Sequence, residues 1–190
     1  MSTPKNLSSI LHPLISIGCA SPTPIGPVWA AVSDRGLVAV EIGGDRDAFI
    51  QGLSRRGFRR VEGDPERASA ALRQIGEYLA GERREFDLPI DWSGMGDFQL
   101  EALRRVAAIP YGQVTTYGEI ARQIGRPRAY RAVGRANATN PLPLVVPCHR
   151  VIGSDGKLHG YGAPGGLSTK AWLLELEGVG EPVRSLDRED

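Results

Sequence analysis

Residues 116–138 read TYGEIARQIGRPRAYRAVGRANA, a run that encodes two short helices joined by a glycine-containing turn. Thr116 and Glu119 stand at the spacing of a capping box, which starts a helix over Tyr117 to Ile124 and satisfies two amides at its beginning. Gly125 closes that helix, and after Arg126-Pro127 a further helix runs over Arg128 to Ala138. Helix, tight turn, helix is the helix-turn-helix pattern. At 100° per residue Arg128, Arg131 and Arg135 share one narrow stripe, with Ala129, Ala132, Val133 and Ala136 on an adjoining apolar face. Alone, such a pattern describes an amphipathic surface helix with solvated arginines. The small side chains of Ala132, Gly134, Ala136 and Ala138 also make the helix slim enough for a nucleic-acid groove, where the cationic stripe would track phosphates.

Towards the carboxyl end, the apolar run Leu142 to Val146 leads into Pro147-Cys148-His149-Arg150. A thiol is a strong nucleophile only as thiolate, and an imidazole that takes its proton supplies the activation that an ordinary pKa of about 8.5 withholds. Adjacency by itself is weak evidence, because isolated cysteines are commonly inert buried groups and neighbouring side chains on a strand point to opposite faces. Two cysteines and three histidines (His12, His149, His159) without CxxC or HxxxH spacing argue against structural zinc, and no metal is expected. A cysteine hydrolase is one alternative for the pair.

Towards the amino end, Phe98 to Ala108 forms a helix stopped at Pro110, and Trp92 to Gly96 is a linker. Further back, Val28–Val32 and Leu37–Ile42 flank Ser33-Asp34-Arg35-Gly36 as a β-hairpin, two strands that start the domain. Over Asp45 to Arg56 the residues Ala48, Phe49 and Leu53 fall at helical spacing, and Phe58 to Val61 returns as a strand. Pro65 to Ala80 is a helix with Ala68, Leu72, Ile75, Tyr78 and Leu79 inward, ended by Gly81, and Phe86 to Ile90 is extended.

The chain has 190 residues, 41% of them hydrophobic and 24% charged, enough for one sizeable core or two small ones. Its net charge of +1 hides a division: residues 98–178 carry 10 basic and 5 acidic groups, against 11 and 13 before them. That local excess suits a polyanion-binding face. The run Leu7 to Ile17 is broken by His12-Pro13 and makes a poor signal peptide, and no stretch is long enough to span a membrane. Cys19 reads as a structural or surface thiol, and two unpaired cysteines fit a reducing cytoplasm.

Four blocks occur in order: Ile109-Pro110-Tyr111-Gly112 with Thr116-Tyr117-Gly118; Arg131-Ala132-Val133-Gly134 with Asn140-Pro141; Pro147 to Val151; and Gly160-Tyr161 with Lys170 and Trp172-Leu173-Leu174. From Phe98 to Gly178 the chain thereby resembles the catalytic domain of the O6-alkylguanine-DNA alkyltransferases, which repair a base by moving its alkyl group onto their own cysteine. The resemblance implies an α+β fold, with a small ribonuclease-H-like α/β domain over 1–93. A mainly helical DNA-binding and alkyl-acceptor domain follows over 94–178, then a charged, disordered tail over 179–190. It makes Cys148 the acceptor, His149 its base through a water, Glu177 the orienter of the imidazole, and Asn140 the brace of the active-site turn. Tyr117 would turn the flanking phosphate and protonate the departing guanine. Arg131 would be the finger that fills the stack, with Arg128, Arg135, Ala132, Gly134 and Thr116 at the DNA, and Tyr161, Val151 and Gly160 around the pocket. No cofactor is implied, and the partner is double-stranded DNA with an alkylated base, bound by a monomer without membrane contact. Read from the residues alone, Glu177 is a surface helix residue and Asn140 a turn former. Against the usual pattern, Ala102-Leu103 replaces Val-Trp, Ala163-Pro164 is an insertion, and Tyr130 replaces a small residue. A lesion-binding relative without transfer, and a helix-turn-helix transcriptional regulator, are the other readings.

Overall fold

The computed structural model describes residues 13–62 and 64–180. It is an α+β protein of two compact units: the described residues up to Gly76 together with Asp87–Gly94, and Glu77–Phe86 together with the chain from Met95 onward. The expected tail lies, beyond Gly180, outside the described residues, as does the start of the apolar run Leu7 to Ile17.

In the first unit a four-stranded sheet runs in the order β3-β2-β1-β4, with β1 (Leu14–Ala20), β2 (Val28–Ser33), β3 (Gly36–Ile42) and β4 (Arg60–Val61). The β2–β3 hairpin forms where the turn chemistry placed it, with Val28 opposite Ile42 and Ser33 opposite Gly36. Three strands open the domain rather than two, because Leu14–Ala20 pairs antiparallel with β2 and, at its start, parallel with β4. Polar Ser16 is fully buried in β1 while Cys19 is exposed, so this strand lacks the clean alternation that would have marked it. Helix α1 (Arg46–Arg55) is capped by the Asp45 carboxylate, which accepts from the Ala48 amide at 2.8 Å. Its Phe49 and Leu53 join Ile15, Ala31, Val38 and Phe58 in one core, whereas Ala48 is exposed in the first turn. Helix α2 (Glu66–Leu79) buries Ala68, Ile75, Tyr78 and Leu79, with Leu72 half-buried. The stretch Phe86 to Ile90 forms no strand; it makes a single bridge, Ile90 to Leu37, where the Leu37 amide donates to the Pro89 carbonyl at 2.8 Å.

The second unit holds α3 (Asp97–Ala107), β5 (Thr115–Thr116), α4 (Tyr117–Gln123), α5 (Tyr130–Ala138), a 3₁₀ turn at Cys148–Arg150, β6 (Val151–Ile152) and α6 (Leu167–Leu176). Ala102, Leu103 and Val106 of α3, Ile120 and Ala121 of α4, and Val133 and Ala136 of α5 are buried. The helix-turn-helix is present with two changes. Thr116 accepts from the Glu119 amide at 3.1 Å, but the Glu119 carboxylate pairs with Arg122 instead of reaching back, so one amide is capped rather than two. The second helix starts at Tyr130, because Arg126–Ala129 closes as a turn after Pro127, with the Ala129 amide on the Arg126 carbonyl at 2.8 Å. Arg128 therefore precedes the helix, and Ala132 is exposed instead of lying on the apolar face, which centres on Val133, Ala136 and Asn137.

Candidate functional site

The loop before the cysteine is built to hold one shape. Leu142, Leu144 and Val146 are fully buried. Leu144 adopts φ 73°, a left-handed backbone that a branched residue occupies only when its surroundings enforce it. Asn140 closes the loop, donating from Nδ2 to the Val146 carbonyl at 2.8 Å and accepting at Oδ1 from the Leu142 amide at 3.0 Å. The Cys148 amide donates to the same Val146 carbonyl at 2.8 Å, and the Arg150 amide, on the Pro147 carbonyl at 2.9 Å, starts the 3₁₀ turn. Directly after it, β6 pairs parallel with β5, Val151 opposite Thr115 and Ile152 opposite Thr116. Thr116 thus serves twice, as sheet partner of the cysteine segment and as N-cap of α4. The nucleophile candidate and the helix-turn-helix share one short piece of backbone.

Behind the turn lies a buried ionic cluster. His149 is wholly buried, and its Nε2 lies 2.9 Å from Glu177 Oε1. Arg150, 6% exposed, donates from Nη2 to Oε1 and from Nε to Oε2 of Glu177, both at 2.8 Å, and from Nη1 to the Ile109 carbonyl at 2.5 Å. The Gly112 amide adds a donor to Oε2 at 3.1 Å, and Tyr78 Oη donates to Oε1 at 2.6 Å. Burial by itself would raise the Glu177 carboxyl, but the hydrogen bonds from His149 and Arg150 outweigh it and hold the group down at about 2. An ionised carboxylate has no proton to give, so His149 Nε2 carries the hydrogen between them. Nδ1 is left as the lone-pair nitrogen, and it is the ring atom without a protein partner. Burial also lowers the basicity of the imidazole, with Glu177 opposing, so the ring rests neutral.

Cys148 is 7% exposed. Burial pushes its thiol up, while a hydrogen bond from Asn140 and the charge of Lys170 pull it down. Lys170 is fully buried, donating to the Val151 carbonyl at 2.7 Å and the His159 carbonyl at 2.9 Å, and burial brings its ammonium down to about 8. Val151, expected around the pocket, is a fully buried strand residue of β6. The Tyr161 hydroxyl is buried without a hydrogen-bond partner, and burial with the nearby Cys148 raises it. Tyr117 is pushed up to about 12 by burial and by Cys148, and its hydroxyl donates to the His159 carbonyl at 3.3 Å.

A cleft of about 690 Å³ opens along the second helix of the pair, walled by Tyr117, Tyr130, Arg131, Gly134, His159 and Gly160 among others. Tyr117 belongs to both groups, lining the cleft and lying near enough to Cys148 to feel its charge. Arg131 is exposed, its guanidinium 5.6 Å over the ring of Tyr130, itself 47% exposed. Arg128, Ala132 and Arg135 are exposed around it, and Gly134 lies beside Tyr117, where a Cβ would meet the ring at an ordinary contact distance of 4.0 Å.

Three buried polar groups of the site, Lys170, Arg150 and Tyr78, carry no role in the sequence reading. Lys170, Leu173, Leu174 and Glu177 fall at i, i+3, i+4 and i+7, one buried face of α6 and its C-cap, so the helical spacing already signalled that both charges point inward. Arg150 was visible only as part of the Pro147–Arg150 block. Helical spacing puts Tyr78 in the core, and the available signal is its hydroxyl, since a buried tyrosine needs a partner for that group.

Fold and site together define a two-unit protein in which a helix-turn-helix adjoins a cysteine backed by a buried imidazole–carboxylate pair. Residues 97–179 match the family described as 6-O-methylguanine DNA methyltransferase, DNA binding domain, and residues 20–92 match 6-O-methylguanine DNA methyltransferase, ribonuclease-like domain. A methylated-DNA--protein-cysteine methyltransferase of Methanosarcina barkeri is 43% identical over 157 residues, covering 82% of this chain and 92% of its own. One from Mycolicibacterium paratuberculosis is 54% identical over 114 residues, 60% and 67% of the two chains. The crystal structure of Mycobacterium tuberculosis OGT in complex with DNA superposes with a TM-score of 0.72 at 41% identity, covering 85% of this chain and 92% of that one. The chain belongs to the methylated-DNA--protein-cysteine methyltransferases, the O6-alkylguanine-DNA alkyltransferase family.

Proposed function

We propose that this protein repairs double-stranded DNA by transferring the alkyl group of an O6-alkylated guanine to the sulfur of Cys148, once per molecule. The observation that carries the reading is the state of His149: Nε2 is committed to an ionised Glu177, which leaves Nδ1 as a base one residue from a thiol that burial keeps protonated at rest. In the reaction the thiol proton passes through a water to Nδ1, and Glu177 stabilises the resulting imidazolium. The sulfur attacks the alkyl carbon, the carbon–O6 bond breaks, and its electron pair leaves on guanine, which takes a proton from the Tyr117 hydroxyl. A Tyr117 pushed up to about 12 is protonated at neutral pH and available for that step. A thioether is not readily hydrolysed, so the protein is consumed.

The target carbon lies inside the duplex, so the nucleotide must be turned out of the stack. Arg131, exposed on α5, suits the finger that fills the gap, with Arg128 and Arg135 beside it on phosphates and the small Ala132 and Gly134 permitting close approach. Tyr161 and Gly160 wall the pocket for the everted base, Val151 supports it from β6, and Asn140 and Thr116 fix the backbone on either side. Residues 94–178 are then the DNA-binding and acceptor domain, with Glu77–Phe86 packed into it, after an amino-terminal domain over 1–93. The protein acts as a monomer, and the two free thiols suit the reducing cytoplasm. The test is a duplex carrying one labelled O6-methylguanine: one methyl mass should appear on the peptide containing Cys148, at one equivalent per protein. Binding without transfer, or repeated turnover, would overturn the reading.

A further inference from the structure

We infer that Tyr78 is a positioning residue of the transfer site, its hydroxyl fixing the tautomer and aim of His149 through Glu177. The inference rests on the transfer reading above, and it concerns a residue outside the segment 97–179 that matches the DNA-binding domain. Tyr78 lies in the last turn of α2, and that turn belongs with the second compact unit, as Glu77–Phe86. Its side chain is fully buried. The ring is gripped by Phe86, centroids 5.3 Å apart, and by Tyr111 edge-on at 6.3 Å, while Arg84 lies over the Tyr111 ring at 5.5 Å.

A phenol has one proton. Tyr78 spends it on Glu177 Oε1, at 2.6 Å, and therefore meets His149 Nε2, 3.2 Å away, with a lone pair. Glu177 Oε1 also meets Nε2 as an acceptor, at 2.9 Å. Two acceptors converge on one ring nitrogen, and only the tautomer with hydrogen on Nε2 satisfies them both. If the tyrosine proton turned to His149 instead, the Nε2 lone pair would face a carboxylate. Burial and the charge of Glu177 raise the Tyr78 hydroxyl beyond its ordinary range, so the donor is permanent. The groups facing His149 are Lys170 on α6 and Glu177 at its C-cap, Arg150 on its own turn and Tyr78 on α2. Of these, Tyr78 alone is a neutral group that touches both members of the imidazole–carboxylate pair.

Removing the hydroxyl takes away one of the two acceptors that hold Nε2, and it concentrates the Glu177 charge on His149. In the full-length protein, Tyr78→Phe should slow single-turnover methyl transfer from saturating methylated duplex about tenfold. The acid limb of its pH profile should move to higher pH, and affinity for lesion-free duplex should be unchanged. Phe86→Leu, which loosens the ring but leaves the hydroxyl, should lower the Tm while keeping the wild-type pH profile. A wild-type rate and profile in Tyr78→Phe, or rates in both variants that simply follow their Tm, would overturn the proposal. Nitrogen-15 spectra of the wild-type protein, which has only three histidines, read the tautomer without any variant. Hydrogen on Nε2 of His149 supports the inference, and hydrogen on Nδ1 ends it. A chain that transfers nothing yet shows the Nε2 tautomer would refute the function and leave the role of Tyr78 standing.

Discussion

Replacing Glu177 by Gln removes one negative charge from the centre of a buried cluster and should be among the most costly conservative changes in the protein. The carboxylate accepts two hydrogen bonds from Arg150 at 2.8 Å, one from Gly112, one from Tyr78 and one from His149. An amide keeps one oxygen and turns an NH2 towards donors, so at least two of these contacts become donor against donor. Arg150, 6% exposed, is then left with an unpaired guanidinium. With the charge centres about 4 Å apart and an effective dielectric of about 20, the lost attraction is about 4 kcal/mol. Breaking a buried pair from one side costs about 3–5 kcal/mol, in agreement. The assay is urea unfolding of protein carrying fluorinated tryptophan, in which Trp172 reports the second unit while Trp29 and Trp92 report the first. Glu177→Gln should destabilise the Trp172 transition by about 3–5 kcal/mol and leave the other two resonances nearly in place. Arg150→Met should cost a similar amount, and the double variant far less than the sum. Single costs below about 1 kcal/mol, or additivity in the cycle, would mean that solvent reaches the cluster and the charges are not interdependent.

Acid should attack the same cluster. A carboxyl lowered from 4.5 to about 2 contributes about 3 kcal/mol that is fully present above the unfolded value and lost as pH falls through the folded one. Stability measured against pH should therefore drop between about 4.5 and about 2, and Glu177→Gln should flatten that limb. His149, held neutral by burial, adds a loss that begins as pH falls below the unfolded value near 6.5, and His149→Gln should remove it. In the first unit, Gly36→Ala should cost about 3 kcal/mol or more by calorimetry, since φ is +134° and a Cβ would lie 2.2 Å from the Pro89 carbonyl oxygen. Gly153→Ala presses only on the ends of the exposed Asp155 and His159 side chains, so its stability change should stay within about 1 kcal/mol.

Local chemistry was legible wherever the structure obeys it locally. The β2–β3 hairpin follows from its turn, α1 from Asp45 and the spacing of Phe49 and Leu53, and α4 from Thr116 and Gly125. Elements that depend on distant partners were less visible. β1 exists because β2 and β4 flank it, and with Ser16 buried and Cys19 exposed its side chains do not declare a face. The first turn of the α5 pattern went to Pro127, which bends Arg126–Ala129 into a turn and withdraws Arg128 from the arginine stripe.

The site divides along the same line. The Cys148-His149 pair and the helix-turn-helix are contiguous in sequence, and their residue types suggest chemistry on sight. The cluster that makes His149 a base with a defined tautomer draws on residues 78, 112, 149, 150 and 177, and its longest hydrogen bond in sequence spans 99 positions. Hydropathy assigns lysine, arginine and glutamate to the surface, so Lys170 and Glu177 among Leu173 and Leu174 look like ordinary solvated charges. They are inward because each finds partners that repay its desolvation: carbonyls of Val151 and His159 for one, five donors for the other. Opposite charges seven residues apart on an apolar helix face are thus a readable sign of a buried polar site, while the identity of the partners is a property of the fold.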